Sequence, residues 1–163
     1  MLTTPPTDDP PWLRSPALET SGLILESHRR AWGRPLLALP ATATRRLAAQ
    51  ELFSAGTVVA AHDGGEDPRL IYANRAALSL WRRDWAAMVG LPSRLTAEPC
   101  ERAARASALA EALDQGRSSG YSGIRVDSSG RRFRISNARI WTLSDDQGMA
   151  CGQVACFADW WWL

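Results

Sequence analysis

The residues of this chain best suited to hold a small molecule are polar groups set among strand-forming apolar ones. In "RRFRISNARIWTL", Arg131 to Leu143, alternation that buries Phe133 and Ile135 carries Asn137, Arg139, Trp141 and Leu143 to the same side. An amide and a guanidinium on a core-facing side are costly unless paired. Either a β-bulge turns the strand over after Ile135 and exposes them, or they face a polar pocket. Gln153, in the last strand-like run, poses the same question. Asn137, Arg139 and Gln153 around one cavity could hold a carboxylate, a phosphate or a polar ring. Trp81, Tyr121 and Trp141 would add stacking surface, and Arg94, in a polar loop, would add a second cation. These seven are the candidate ligand-binding residues; for each, core packing or a surface salt bridge is the rival reading.

Other chemistries find less support. Nucleophilic hydrolysis needs a Ser or Cys beside a base, and the chain has two histidines, His28 and His62. His28 sits at the margin of an apolar helical stripe, and His62 beside the turn residues "DGG". There is no strand–turn–helix nucleophile elbow and no glycine-rich phosphate loop after a strand. Asp145 and Asp146 read as turn residues. The chain is therefore read as non-catalytic, with a small-molecule enzyme as a minor alternative. Cys100, Cys151 and Cys156 lack metal-site spacing, so no metal is expected.

Composition narrows the partners. Nineteen basic residues, all arginine, face 17 acidic ones, for a net charge of +2. That balance advertises neither a nucleic-acid nor a membrane surface. An odd number of cysteines without framework spacing predicts a reduced, cytoplasmic protein. The opening run "MLTTPPTDDPPWLR" has acids and prolines where a leader needs an apolar stretch, and no segment reads as membrane-spanning.

The elements that must position these residues follow from period and punctuation. Residues 1–14 read as a flexible, proline-rich arm, 15–55 as an N-terminal helical segment, and 56–163 as an α+β core. In the first helix Leu18, Ile24, Leu25, His28 and Trp32 form one stripe, stopped by Gly33 and Pro35. A second helix spans about 44–54. "TVVAAHD" and "RLIYAN" read as a hairpin across "GGEDP", and Asn74 caps a helix through Trp81. An alanine-rich helix over about 99–115 would turn Ala106, Leu109, Ala110 and Leu113 inward. Strands follow at about 120–128, 131–144 and 150–161. This order predicts one antiparallel sheet with helices packed on one face. With Ser129-Gly130 as a two-residue hairpin loop, Val126 opposes Phe133 and Ile124 opposes Ile135 inside, leaving Arg125, Arg132 and Arg134 on a solvated face.

The segments "IYANRAALSLW", "GLPSRLTAEP", "YSGIRVDSSGRRFRI", "ARIWTL" and "GQVACFADW", in that order, closely resemble the MEKHLA domain. That PAS-like module is found alone in bacteria and at the C-terminus of plant class III homeodomain–leucine zipper transcription factors. The likeness runs from about Glu19 to Leu163 and suits the stand-alone bacterial form; the hexapeptide behind the family's name, a homeodomain and a zipper are missing. The resemblance implies a five-stranded antiparallel PAS sheet with helices on one side, around a small cavity. It also implies a sensory, signal-transducing or dimerising role. Against the PAS cofactors, "NRAALSLW" has no cysteine for flavin photochemistry, and the stretch 99–115 has no histidine for haem, so neither is expected. The cofactor is left unknown.

Two function classes remain. One is a sensory module binding a small molecule between sheet and helices. The other is a ligand-free protein–protein interaction module. For the second, alternation in "WWW" sends Trp161 away from Trp160 and Trp162. The outer sheet face would be covered either by the first helix, through Leu25 and Trp32, or by a second copy in a homodimer.

Overall fold

The computed structural model describes residues 8–163. Two helices open the chain, α1 (Ala17–Trp32) and α2 (Arg45–Ser54), followed by strands β1 (Val58–Asp63) and β2 (Leu70–Ala73). Helices α3 (Arg75–Trp81), α4 (Trp85–Met88) and α5 (Arg102–Gln115) cross to the last third. That third is β3 (Arg117–Val126), β4 (Arg132–Ser144), β5 (Ala150–Phe157) and β6 (Asp159–Trp162). All pairs are antiparallel in the order β2-β1-β5-β4-β3, and β6 continues beyond β5 along the first part of β4. The expected final strand is thus two strands, broken at Ala158.

Both sheet faces are covered. On the inner face Val58, Phe133, Ile135 and Phe157 pack with Leu80, Trp81 and Met88 of α3 and α4. On the outer face Val59, Tyr72, Trp141, Val154 and Cys156 pack with Ile24 of α1 and Leu52 of α2. Each large side chain so buried contributes about 1.5–3 kcal/mol. The N-terminal helices therefore take the outer face within the same chain, where Leu25 and Trp32 are partly buried.

Part of the expected flexible arm is packed. Residues 1–7 lie outside the described residues. Beyond them Trp12 stacks on Phe53 with ring centroids 3.7 Å apart and donates to Gln50 Oε1 at 3.1 Å. Asp9 receives both terminal nitrogens of Arg46. The prolines leave this stretch a single 3-10 turn, Pro11–Leu13, which packs on the surface of α2.

The β3–β4 hairpin departs from expectation by one residue. Gly130 N donates to Asp127 O at 3.1 Å, Asp127 N donates to Arg131 O at 2.9 Å, and Gly130 has φ +85°. This is a three-residue loop, Ser128-Ser129-Gly130, with a type I turn and glycine in the left-handed region. Asp127 Oδ1 holds it by accepting from Ser129 N, Ser129 Oγ and Arg131 N. Arg125 therefore opposes Phe133 and Gly123 opposes Ile135. A one-residue shift exchanges the faces. Phe133 and Ile135 are buried as expected; Ile124 and Val126 are half-buried on the other face, and Arg125 is buried. The solvated-face reading holds for Arg132 but is overturned for Arg125.

Helix α5 is likewise rotated. Ala108 and Ala112 are buried against Ile140 while Leu113 is 63% exposed. Positions 105, 108, 109 and 112 face the sheet, so Leu109 lies inward as expected while 106, 110 and 113 do not.

Candidate ligand cavity

A cavity of about 60 Å³ lies between the inner sheet face, α3–α4, the turn Ser93–Thr96 and α5. One part of its wall is apolar, with Leu70, Trp81, Met88, Ile135 and Phe157. The other part carries His62, Ser93, Thr96, Arg105, Tyr121, Arg125 and Gln153. No Asp or Glu lines it.

Alternation along β3 sends Tyr121, Gly123 and Arg125 into this space. Arg125 Nη2 donates to Tyr121 Oη at 3.0 Å and Nη1 to Ile124 O at 3.0 Å, with the guanidinium 5.3 Å from the tyrosine ring centroid. Gly123 makes this possible: a Cβ there would stand 2.6 Å from Tyr121 Oη and 3.1 Å from Arg125 Nη1. Arg105 reaches the same space from α5. Burial, then the charge of Arg125, push its pKa down to about 10. Neither arginine has a carboxylate within ion-pair distance among the described residues.

His62 and Gln153 are directly opposed on β1 and β5, so their side chains share a face. His62 is 8% exposed. Its Nδ1 lies 2.7 Å from Asp63 O, a contact that requires the proton on Nδ1. Its buried Nε2 is left as a bare acceptor with no partner. Burial lowers its pKa, and the nearby Arg105 lowers it further, so the ring is neutral at pH 7. Gln153 Nε2 donates to Leu109 O at 2.7 Å. Ser93, 1% exposed, has no partner for its Oγ, while Thr96 Oγ1 donates to Ser93 O at 2.7 Å. Trp81 is held by Nε1–H to Thr96 O at 3.4 Å and by edge contacts with Phe133 and Phe157.

Of the seven candidates, the structure brings Trp81, Tyr121 and Gln153 to this wall and places four elsewhere. Arg94 is exposed and pairs with Asp67 at 3.2 Å; its loop reaches the cavity through Ser93 and Thr96 instead. Asn137 is exposed with φ +55°, at a break in regular pairing with β3. That bulge turns β4 over, so Ala138 and Ile140 follow Ile135 on the cavity side and Arg139 and Trp141 pass beneath α1. There Arg139 Nη1 donates to His28 Nε2 at 2.8 Å and Nη2 to Cys156 Sγ at 3.5 Å, and its guanidinium lies 5.4 Å from the Trp32 ring centroid. Trp141 is fully buried and donates to Ser27 Oγ at 3.0 Å. Sequence reasoning missed His62, Ser93, Arg105 and Arg125. A glycine between tyrosine and arginine inside a strand was the available signal, since such a glycine marks a close approach.

A cavity walled by one face of a 2-1-5-4-3 antiparallel sheet and its crossing helices is the arrangement the sequence resemblance implies, and the family model for the MEKHLA domain matches residues 18–162. The chain belongs to the MEKHLA domain family. No curated protein matches it. Among solved structures, this MEKHLA domain is similar to the PAS domain of a protein from Colwellia psychrerythraea, with TM-score 0.59 and 15% identity over 66% of this chain and 89% of that one. It is also similar to a light-oxygen-voltage domain studied with a flavin analogue (TM-score 0.56, 15% identity, 76% of this chain and 88% of that one). A serine-for-cysteine variant of Vivid gives TM-score 0.57 and 13% identity over 83% and 99%. At these identities the likeness is one of fold: a PAS-like sheet with helices, here with two further helices before it. That fold and family are consistent with a sensory module. Among the described residues no helix is long and apolar enough to cross a membrane.

Proposed function

We propose that this MEKHLA domain is a non-catalytic sensory module that binds a small molecule in the cavity between sheet and helices. The observation that carries the reading is the pair of unsatisfied polar atoms there. His62 Nε2 and Ser93 Oγ are buried without partners on the wall of a space of about 60 Å³, roughly twice what one water takes in the liquid. A buried polar group left unpaired costs about 1–3 kcal/mol. Two around one void are more economically explained by an occupant than by chance.

The test is a mass spectrum of the purified full chain under native and denaturing conditions, with amide shifts of cavity residues followed across a panel of small molecules. An adduct, or saturable shifts confined to the cavity wall, is expected, and Ala138→Leu, which fills the cavity from β4, should abolish either. Binding that survives Ala138→Leu, or no adduct and no shift across the panel, overturns the reading.

One observation favours a second reading, self-association. Trp161 on β6 is 48% exposed, while Trp160 and Trp162 turn back on Phe133. A homodimer through β6 would show in light scattering and disappear in Trp161→Ser.

A further inference from the structure

Resting on that reading of the cavity, we infer that its occupant is a small carboxylic acid, its carboxylate held by Arg105, Arg125 and Tyr121 with its carbon chain against the apolar wall. Two guanidinium groups face one cavity that no Asp or Glu lines, and neither has an ion-pair partner among the described residues. Burying a cation without a counter-charge is strongly unfavourable; Arg125 is buried and Arg105 half-buried, so the cavity wall by itself is unbalanced in charge as well as in hydrogen bonds. Tyr121 sharpens the requirement. Its oxygen already accepts from Arg125, so its O–H is free to donate. The guanidinium forks and the phenol together offer only donors, and an anion is what satisfies them.

The class of anion follows from the rest of the wall. Leu70, Trp81, Met88, Ile135 and Phe157 would face the oxygens of a phosphate or sulfate and leave them unpaired. A carboxylate presents its planar pair of oxygens to the arginines and carbon to the remainder. Planar two-point contact is what a guanidinium fork matches best. The small volume sets the length, in the range of acetate and propanoate.

The test is calorimetric titration of the full chain, after exchange into a carboxylate-free buffer, with propanoate, with its neutral isostere propanamide and with inorganic phosphate. Saturable one-to-one binding of propanoate is expected, with propanamide and phosphate weaker by about tenfold or more, the margin of a charge-assisted hydrogen bond. Arg105→Met should weaken propanoate by at least about tenfold while leaving propanamide unchanged. Because it removes an uncompensated charge, it should also raise the midpoint of thermal unfolding of the ligand-free protein, which loss of a merely structural arginine would lower. Arg125→Met is the second variant, with the same expectation for propanoate. Equal binding of propanoate and propanamide, preference for phosphate, no binding of propanoate, or unchanged propanoate affinity in Arg105→Met each overturns the inference. If cavity-confined shifts from neutral molecules persist and vanish in Ala138→Leu, only the ligand class has failed; if they too are missing, the cavity reading fails with it.

Discussion

Asn74 should be the costliest polar residue in the molecule to replace, and the cost separates two ways of reading it. The side chain is completely buried between the end of β2 and the start of α3. Its Oδ1 accepts from Ala77 N at 3.1 Å, which is ordinary helix capping, and also from Val59 N at 3.0 Å across the sheet. Its Nδ2 donates to Thr57 O at 2.7 Å, with Leu52 O and Ala55 O at 3.3 and 3.5 Å. Asn74→Ala strands two backbone donors and one strong acceptor. At about 1–1.5 kcal/mol each, the loss is about 3–4.5 kcal/mol, a large part of the typical 5–15 kcal/mol of a folded domain. Asn74→Asp is the decisive variant. At an ordinary cap aspartate replaces asparagine without loss. Here it keeps the acceptor but turns an oxygen toward three carbonyl oxygens in place of a donor, so it should cost about 2 kcal/mol or more. Urea unfolding at constant m value measures both. If the aspartate variant lies within about 0.5 kcal/mol of the parent, Asn74 is only a helix cap, and the argument that it locks α3, and with it Trp81, onto the sheet is wrong.

Two further predictions rest on the same geometry. Burial lowers the pKa of His28 and of His62 in the folded state, Arg139 adding to the first and Arg105 to the second. The unfolded chain therefore takes up protons that the folded one refuses, so stability is complete above about pH 6.5 and falls as pH drops through the depressed folded values. Urea midpoints at pH 7.5 and 5.5 should show that fall, and it should be smaller in His28→Gln. A flat response would refute the buried neutral rings. Gly123→Ala should cost about 1–3 kcal/mol through overpacking and, by moving Tyr121 Oη, weaken cavity binding by more than it weakens the fold. An alanine variant with unchanged Tyr121 ring shifts by NMR would show that the pocket does not depend on the missing Cβ.

How far the sequence could be read depended on whether a local signal had one meaning or two. Asn74 before "RAALSLW" had one: a cap on a helix that turns Trp81 inward, and the structure has it so. "DSSGR" had two. Ser129-Gly130 suits a two-residue loop, but aspartate at the first position of a turn and glycine at the fourth also mark a type I turn, and Asp127 tips the balance by accepting three hydrogen bonds that close the larger loop. In α5 the difficulty was contrast. An alanine-rich helix presents similar surfaces on every side, so its phase was settled by what Ala108 and Ala112 could approach closely, not by a stripe visible in the sequence. The bulge at Asn137 was legible as a possibility, since asparagine tolerates positive φ. Its consequence was not, because the face to which it sends Arg139 is covered by α1.

These single-residue shifts act together on the site. With a two-residue hairpin loop and an unbroken β4, Arg139 and Trp141 would face the cavity and Arg125 would face water. The longer loop brings Arg125 in, the bulge takes Arg139 out, and the rotation of α5 adds Arg105. One cation was expected from the sheet and one from the loop, and the structure supplies two, from β3 and from α5. Arg139, once under α1, is satisfied by a neutral histidine, a thiol and an indole face, and so has no call on an anion. Arg105 and Arg125 have no such partners beyond a tyrosine oxygen and one carbonyl. The difference in how these arginines are satisfied, more than their number, is what assigns the anion-seeking role to the cavity pair.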